Sequence, residues 1–263
     1  MRPVVVFDSG VGGLTVAAAI RESLPRLDLV FVADDAWFPY GPRTDSDIIS
    51  RVTGLLGNIV ERIDPSAVIV ACNTASTLVL SPLRERLSIP VVGTVPAIKP
   101  AAELTQSGVI GVLATEGTIR RDFTRSLIDE FAVDCHVRLV GSWLLATYAE
   151  AELKGEPVSD DALGVEIEPA FIELEKGRTD QIVLACTHYP LLLNRMVALA
   201  PWQVNWVDPA SAIARRLGEV VGGLAAGGGS GYAIRTSGRS WNGRLSDRLK
   251  RLGLSPITRK GVV

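Results

Sequence analysis

Cysteine is scarce in this chain of 263 residues: the three present are an odd number, too few for a disulfide framework at that length. A reducing cytoplasm is therefore the expected compartment. Histidine is rarer still, with two, His136 and His188. Neither sign of charge dominates, and a formal net charge of −2 excludes a general attraction to nucleic acid or to an anionic membrane. Hydrophobic residues make up 47% of the chain, yet charged residues interrupt every apolar run before about 18 positions, so no spanning helix is expected. The opening Met1-Arg2-Pro3-Val4-Val5-Val6-Phe7-Asp8 has one basic residue and an apolar run too short for a signal peptide, and predicts a first strand instead. No glycine-rich phosphate loop ending in Gly-Lys-Ser or Gly-Lys-Thr occurs.

What is present is a repeated pattern. Val68-Ile69-Val70-Ala71-Cys72-Asn73-Thr74 and Ile182-Val183-Leu184-Ala185-Cys186-Thr187-His188 each finish an apolar run with Ala-Cys and a polar cluster. Such runs predict buried parallel strands ending at a helix N-terminus. Each thiol then falls at the carboxyl edge of a sheet, where open α/β folds bind ligands. Strand-like runs at residues 4–7, 29–32, 91–96 and 109–113 alternate with helical patterns at 14–24 and 45–62, the signature of βα units around a mainly parallel sheet. A strand with a glycine turn, followed some distance on by strand-Ala-Cys, occurs in both halves. That suggests two similar α/β lobes facing each other across a cleft. Residues 222–231 predict a flexible glycine-rich connector. The basic tail beyond it places Leu245, Leu249 and Leu252 at helical spacing, an amphipathic helix docked on a lobe.

A lone cysteine ending an apolar strand is usually inert core, and Cys135 keeps that reading. Cys72 and Cys186 depart from it because a helix N-terminus lowers a thiol pKa from about 8.5, and a thiol tuned toward neutrality can act as base or acid. His188 stands two positions after Cys186, beside Thr187. Asp8 ends the first strand, where it could cap the next helix or hold a proton near Cys72. Gly10-Val11-Gly12-Gly13, with Asp34 or Asp35 some twenty residues on, has a weak likeness to a dinucleotide fingerprint, but the third glycine position is Thr15. A plain turn presenting N–H groups to a carboxylate is the stronger reading. Cys72, Cys186 and His188 also form a Cys₂His set, without the close ligand spacing usual for zinc; no metal is expected.

Asp8-Ser9-Gly10-Val11-Gly12-Gly13-Leu14-Thr15-Val16, Tyr40-Gly41, Ala71-Cys72-Asn73-Thr74-Ala75-Ser76 and Cys186-Thr187-His188-Tyr189-Pro190-Leu191-Leu192 together resemble the glutamate racemase branch of the cofactor-independent aspartate/glutamate racemases. The resemblance implies a pseudo-symmetric two-lobe α/β enzyme that interconverts L- and D-glutamate for peptidoglycan, without any cofactor. It implies lobes of residues 1–97 with 208–263, and 98–207. Cys72 and Cys186 become the acid/base thiols, assisted by Asp8 and His188. Asp8, Ser9, Tyr40, Gly41, Asn73, Thr74, Thr187 and His188 fall at substrate-contact positions, with Thr115 and Thr118 as further contacts. Ser142-Trp143-Leu144-Leu145-Ala146-Thr147-Tyr148-Ala149-Glu150 lacks the cysteine and prolines common in the family, while Glu150 matches an acidic residue near the second thiol. The family also implies a homodimer and, for some members, a contact with DNA gyrase, for which the basic tail is the one hint. Aspartate or a hydantoin as substrate, and a non-catalytic amino-acid-binding module, are the alternatives.

Overall fold

The computed structural model describes residues 2–222 and 227–258. Six strands build a first sheet: β1 (Val4–Asp8), β2 (Leu29–Ala33), β3 (Ala67–Val70), β4 (Val91–Gly93), β11 (Gly231–Arg235) and β12 (Ser255–Ile257). Their order is β12-β11-β2-β1-β3-β4, with every neighbour parallel. A second parallel sheet has the order β10-β9-β5-β6, from β5 (Val109–Thr115), β6 (His136–Ser142), β9 (Gln181–Ala185) and β10 (Asn205–Val207). A short antiparallel hairpin joins β7 (Glu173–Leu174) to β8 (Gly177–Arg178).

All five residues of β1 are buried, as are all of β2, β3 and β9. Continuous apolar runs of this kind suit strands covered on both faces. Alternation along β1 sends Val4 and Val6 to one face and Val5 and Phe7 to the other. The first face packs against α1 (Leu14–Ser23), α10 (Ala210–Val221) and α11 (Gly243–Arg251), through Leu14, Ile20, Leu217 and Leu249. The second packs against α2 (Asp45–Ile63) and α3 (Asn73–Arg86), through Ile48, Val52, Leu56 and Val79. Each such side chain withdrawn from water is worth roughly 1.5–3 kcal/mol.

Around the second sheet, α7 (Leu145–Lys154), α8 (Asp160–Ile167) and α9 (Leu193–Leu199) cover one face. α4 (Ile98–Leu104) and α6 (Asp122–Phe131) cover the other, with the short α5 (Glu116–Ile119) at its edge. The chain thus enters the second sheet after β4 and returns to the first after β10.

Several expectations need correction. β6, β10, β11 and β12 were not legible as strands, because they lie at or near sheet edges and are not continuously buried. Only the helix of the basic tail was foreseen; it forms as α11, capped by the Asn242 side chain accepting from the Leu245 N–H. Residues 223–226 of the glycine-rich connector, and Arg259 and Lys260 of the tail, lie outside the described residues. The described end of the connector is anchored, not loose: the N–H groups of Gly227 and Gly229 donate to the Arg26 carbonyl, and that of Ser230 to Asp28. Among the described residues, no helix is long and apolar enough to cross a membrane.

Candidate active site

The carboxyl ends of the central strands bring the predicted residues together. Asp8 is the last residue of β1, Cys72 is the N-cap of α3 two positions beyond β3, and Thr115 closes β5. Cys186 follows β9 directly. Asp8 is fully buried and links the two halves: Oδ2 accepts from the N–H groups of Gly10 (3.2 Å) and Gly13 (3.1 Å), while Oδ1 accepts from the Thr187 hydroxyl (3.2 Å). The glycine turn therefore does offer its N–H groups to a carboxylate, and that carboxylate is the protein's own. Val11 N–H donates to Glu150 Oε1 at 2.8 Å in the same way.

Cys72 Sγ donates to Ser9 Oγ at 3.4 Å. The expected downward tuning of this thiol does not hold in the unliganded protein. Burial and the Asp8 charge push it up to about 12, with Cys186 adding to the rise, against the opposing pull of Ser9 and the Ala75 N–H in the first turn of α3. Partial charge at a helix end falls short of desolvation next to a buried carboxylate.

The second thiol differs from expectation in another way. No α-helix begins at Cys186; Thr187 and His188 precede a 3₁₀ turn, Tyr189–Leu192, and only then α9. Its polar neighbour is imidazole. His188 Nδ1 lies 3.9 Å from Cys186 Sγ, and Nε2 lies 3.3 Å from Glu150 Oε1 and 3.1 Å from the Gly12 nitrogen. Unprotonated, Nε2 accepts from Gly12; protonated, it donates to Glu150. Burial works against the imidazolium, but Cys186, Glu150 and Asp8 outweigh it and raise the His188 pKa well above its usual value. The shift favours the imidazolium over the neutral ring. Glu150 answers in the opposite sense: burial would raise it, yet His188, the Val11 N–H and Lys154 bring it down to about 2.

Hydroxyls and one amide complete the site. Thr74 Oγ1 is 2.8 Å from Thr115 Oγ1 and 3.3 Å from Thr118 Oγ1, a cluster that again joins the two halves. Asn73 is buried; its Oδ1 accepts from Thr94 at 3.4 Å, and its Nδ2 has no partner. Tyr40 is buried too, but its hydroxyl is committed to Asp34 at 2.6 Å, so what it and Gly41 offer a ligand is ring and backbone. Asp34 also takes two bonds from Arg51, and Asp35 pairs with Arg235, which removes both from any ribose-binding role. Among the described residues, no group of three or more His, Cys, Asp or Glu side chains is disposed to hold a metal ion.

Two features escaped the sequence. Phe38 stacks against His188 with ring centroids 5.3 Å apart. Gly10 and Gly12 are required for space as much as for their N–H groups: a Cβ on Gly12 would stand 2.3 Å from His188 Nδ1, and one on Gly10 2.5 Å from Glu150 Oε1. The aromatic, proline-rich loop at 37–42 was the one available signal for Phe38. Cys72 and Cys186 are only 5% and 6% exposed, so the cleft is shut over them. A cavity of about 530 Å³ opens beside it, lined by Gly41, Arg43, Gly117, Arg121, Phe123 and Trp143.

Residues 14–217 match the family described as Asp/Glu/Hydantoin racemase. A glutamate racemase of Brucella anthropi is 57% identical over 217 residues, 82% of this chain and 78% of that protein. One from Rhizobium meliloti is 51% identical over 243 residues, 91% and 88% of the two chains. Among solved structures, Escherichia coli glutamate racemase, in complex with L-glutamate and the activator UDP-MurNAc-ala, is 39% identical with a TM-score of 0.87, over 98% of this chain and 99% of that one. Agreement in sequence and fold over most of its length means that this chain belongs to the Asp/Glu/Hydantoin racemase family.

Proposed function

We propose that the protein is a cofactor-independent glutamate racemase, interconverting L- and D-glutamate and supplying the D-enantiomer for peptidoglycan. The observation that carries this reading is the approach of two buried thiols from two separate sheets: Cys72 feels the charges of both Asp8 and Cys186, and Thr187, next to Cys186, bonds to Asp8. Inversion at an amino-acid α-carbon removes a very weakly acidic proton from one face and returns one to the other. A single fixed base serves only one face, so two opposed groups are needed.

Cys186 takes the proton of L-glutamate, and Cys72 that of D-glutamate. With its pKa near 12, Cys72 rests as the thiol and is ready as the acid when Cys186 acts as base. For the reverse reaction, the ammonium group of the entering amino acid supplies a cation beside Asp8 and Cys72, favouring the thiolate. His188, held protonated by Glu150, stabilises negative charge at Cys186 and passes it a proton. The unpartnered Asn73 Nδ2 and the hydroxyls of Thr74, Thr115, Thr118 and Thr187 receive the carboxylates, joined by Ser9 and the backbone at Tyr40 and Gly41. Each well-placed donor to developing charge is worth about 3 kcal/mol.

In this reading residues 1–97 with 208–263 form one lobe and 98–207 the other, and the enzyme works in the cytoplasm as a homodimer. A DNA gyrase contact through the basic tail belongs to the same reading; sedimentation tests the dimer, and a pull-down with the exposed Arg239, Arg244 and Lys250 each changed to Glu tests the gyrase contact. The decisive test of activity is an α-deuterium exchange screen over all amino acids in both configurations, with no added cofactor. Exchange confined to glutamate is expected; exchange confined to aspartate or a hydantoin would refute the substrate, and none at all would refute the chemistry.

A further inference from the structure

Two adjacent arginines at the start of α6 meet different fates. Arg120 is 66% exposed, pairs with Glu116 and lies over the Trp143 ring, an ordinary solvated cation. Arg121 is 9% exposed, and its bonds run to the other half of the molecule. Nη1 donates to the Thr74 carbonyl at 2.8 Å and to Thr77 Oγ1 at 2.9 Å, both on α3; Nη2 donates to Asp45 Oδ1 at 2.8 Å, the first residue of α2.

For stability alone this is a poor placement. Nε is buried with no partner, and buried polar groups left unpaired are costly. The guanidinium also sits against the first turn of α3, the end of a helix where its dipole disfavours a cation. Its anionic partner Asp45 is 59% exposed, and exposed pairs contribute little. What the contact achieves is geometric. Thr74 is held by its hydroxyl at Thr115 and Thr118 and by its carbonyl at Arg121, so the second half grips it at both ends. Thr74 lies two residues after Cys72, on the helix that Cys72 caps.

We propose that Arg121 is a positioning residue, a latch that closes the second half onto the N-terminal turn of α3 and sets Cys72 and Thr74 for reaction. The inference deepens the racemase reading and rests on it for its kinetic consequence. With both thiols buried, glutamate enters only when the halves part. The long arginine side chain releases the Thr74 carbonyl on opening and recaptures it on closing.

Peptide-resolved iodoacetamide labelling of the unliganded protein tests the latch without reference to turnover. Arg121→Ala is expected to speed labelling of Cys72 and Cys186 by about tenfold or more, through local opening, and to leave the half-buried Cys135 unchanged. Asp45→Ala, which removes only the exposed partner, should change these rates less than about twofold. Unchanged rates at Cys72 and Cys186, or equal acceleration at Cys135, would overturn the proposal. In the racemase assay, Arg121→Ala should lower kcat by about thirtyfold with a smaller change in KM, and the loss should be equal for kcat/KM in both directions, because the enantiomers have equal free energy. Arg121→Lys and millimolar guanidinium should each restore part of it. A kcat within threefold of wild type, or a loss that follows the unfolded fraction and resists rescue, would contradict the latch. Wild-type protein inactive on glutamate would instead refute the functional reading, with the labelling result still deciding the latch.

Discussion

Cys72 and Cys186 each stand just beyond a buried parallel strand, β3 and β9, yet their surroundings are opposite in character. Cys72 caps an α-helix, bonds to a neutral hydroxyl and faces Asp8, so burial and a neighbouring negative charge hold it protonated. Cys186 has no α-helix at its back but has His188, whose cationic form Cys186, Glu150 and Asp8 favour. Strand ends therefore deliver the two sulfurs alike, and neighbouring side chains make them different. Two parallel sheets place the sulfurs alike, while the local charges around them are not shared by the two halves.

The largest effect tests the shared feature. Cys72→Ala and Cys186→Ala should each lower racemisation by about 10²–10⁴-fold, the range for losing a positioned acid or base, measured by polarimetry from either enantiomer. Near-normal turnover in either variant would remove the comparison altogether. Next in size is Gly12→Ala, which forces a methyl group into the His188 ring. It should destabilise the fold by about 1–3 kcal/mol in a denaturant titration and impair turnover as well; the corresponding change at Gly54, with open space around its Cβ, should leave turnover unaltered.

Glu150→Gln sharpens the difference between the thiols. Removing a hydrogen bond to a charged group should cost about 1.5–3 kcal/mol, a ten- to hundredfold loss in rate. Without the carboxylate the His188 pKa falls, so the alkaline limb of the pH–rate profile should move to lower pH. A further effect, confined to acid pH, is on stability. Glu150 is depressed in the folded state from 4.5 to about 2, so its stabilisation is fully present above pH 4.5 and is lost as pH falls from there toward 2. Over that window the advantage of wild type over Glu150→Gln should shrink by up to about 3 kcal/mol, measured by urea unfolding at a series of pH values.

The central strands, their parallel order and the positions of Asp8, Cys72, Cys186 and His188 were legible because β-branched runs buried on both faces leave an unbroken apolar signal. Edge strands such as β6 and β11 carry no such signal. The state of Cys72 was not legible either. A helix N-terminus is visible in sequence, but the burial of Cys72 and the proximity of Asp8 arise only when the strands are assembled. Gly12 was visible as a turn, whereas its contact with His188, 176 positions away in sequence, belongs to the packing of the two halves. Arg121 carries no signal in sequence, because its bonds to Thr74, Thr77 and Asp45 arise only when the two halves pack.

The account rests on each sulfur serving one face of one carbon. Solvent-deuterium exchange at Cα, followed by NMR for the two single-cysteine variants, tests that most directly. Cys186→Ala should incorporate deuterium into D-glutamate alone, and Cys72→Ala into L-glutamate alone. Exchange of both enantiomers by either variant would contradict it.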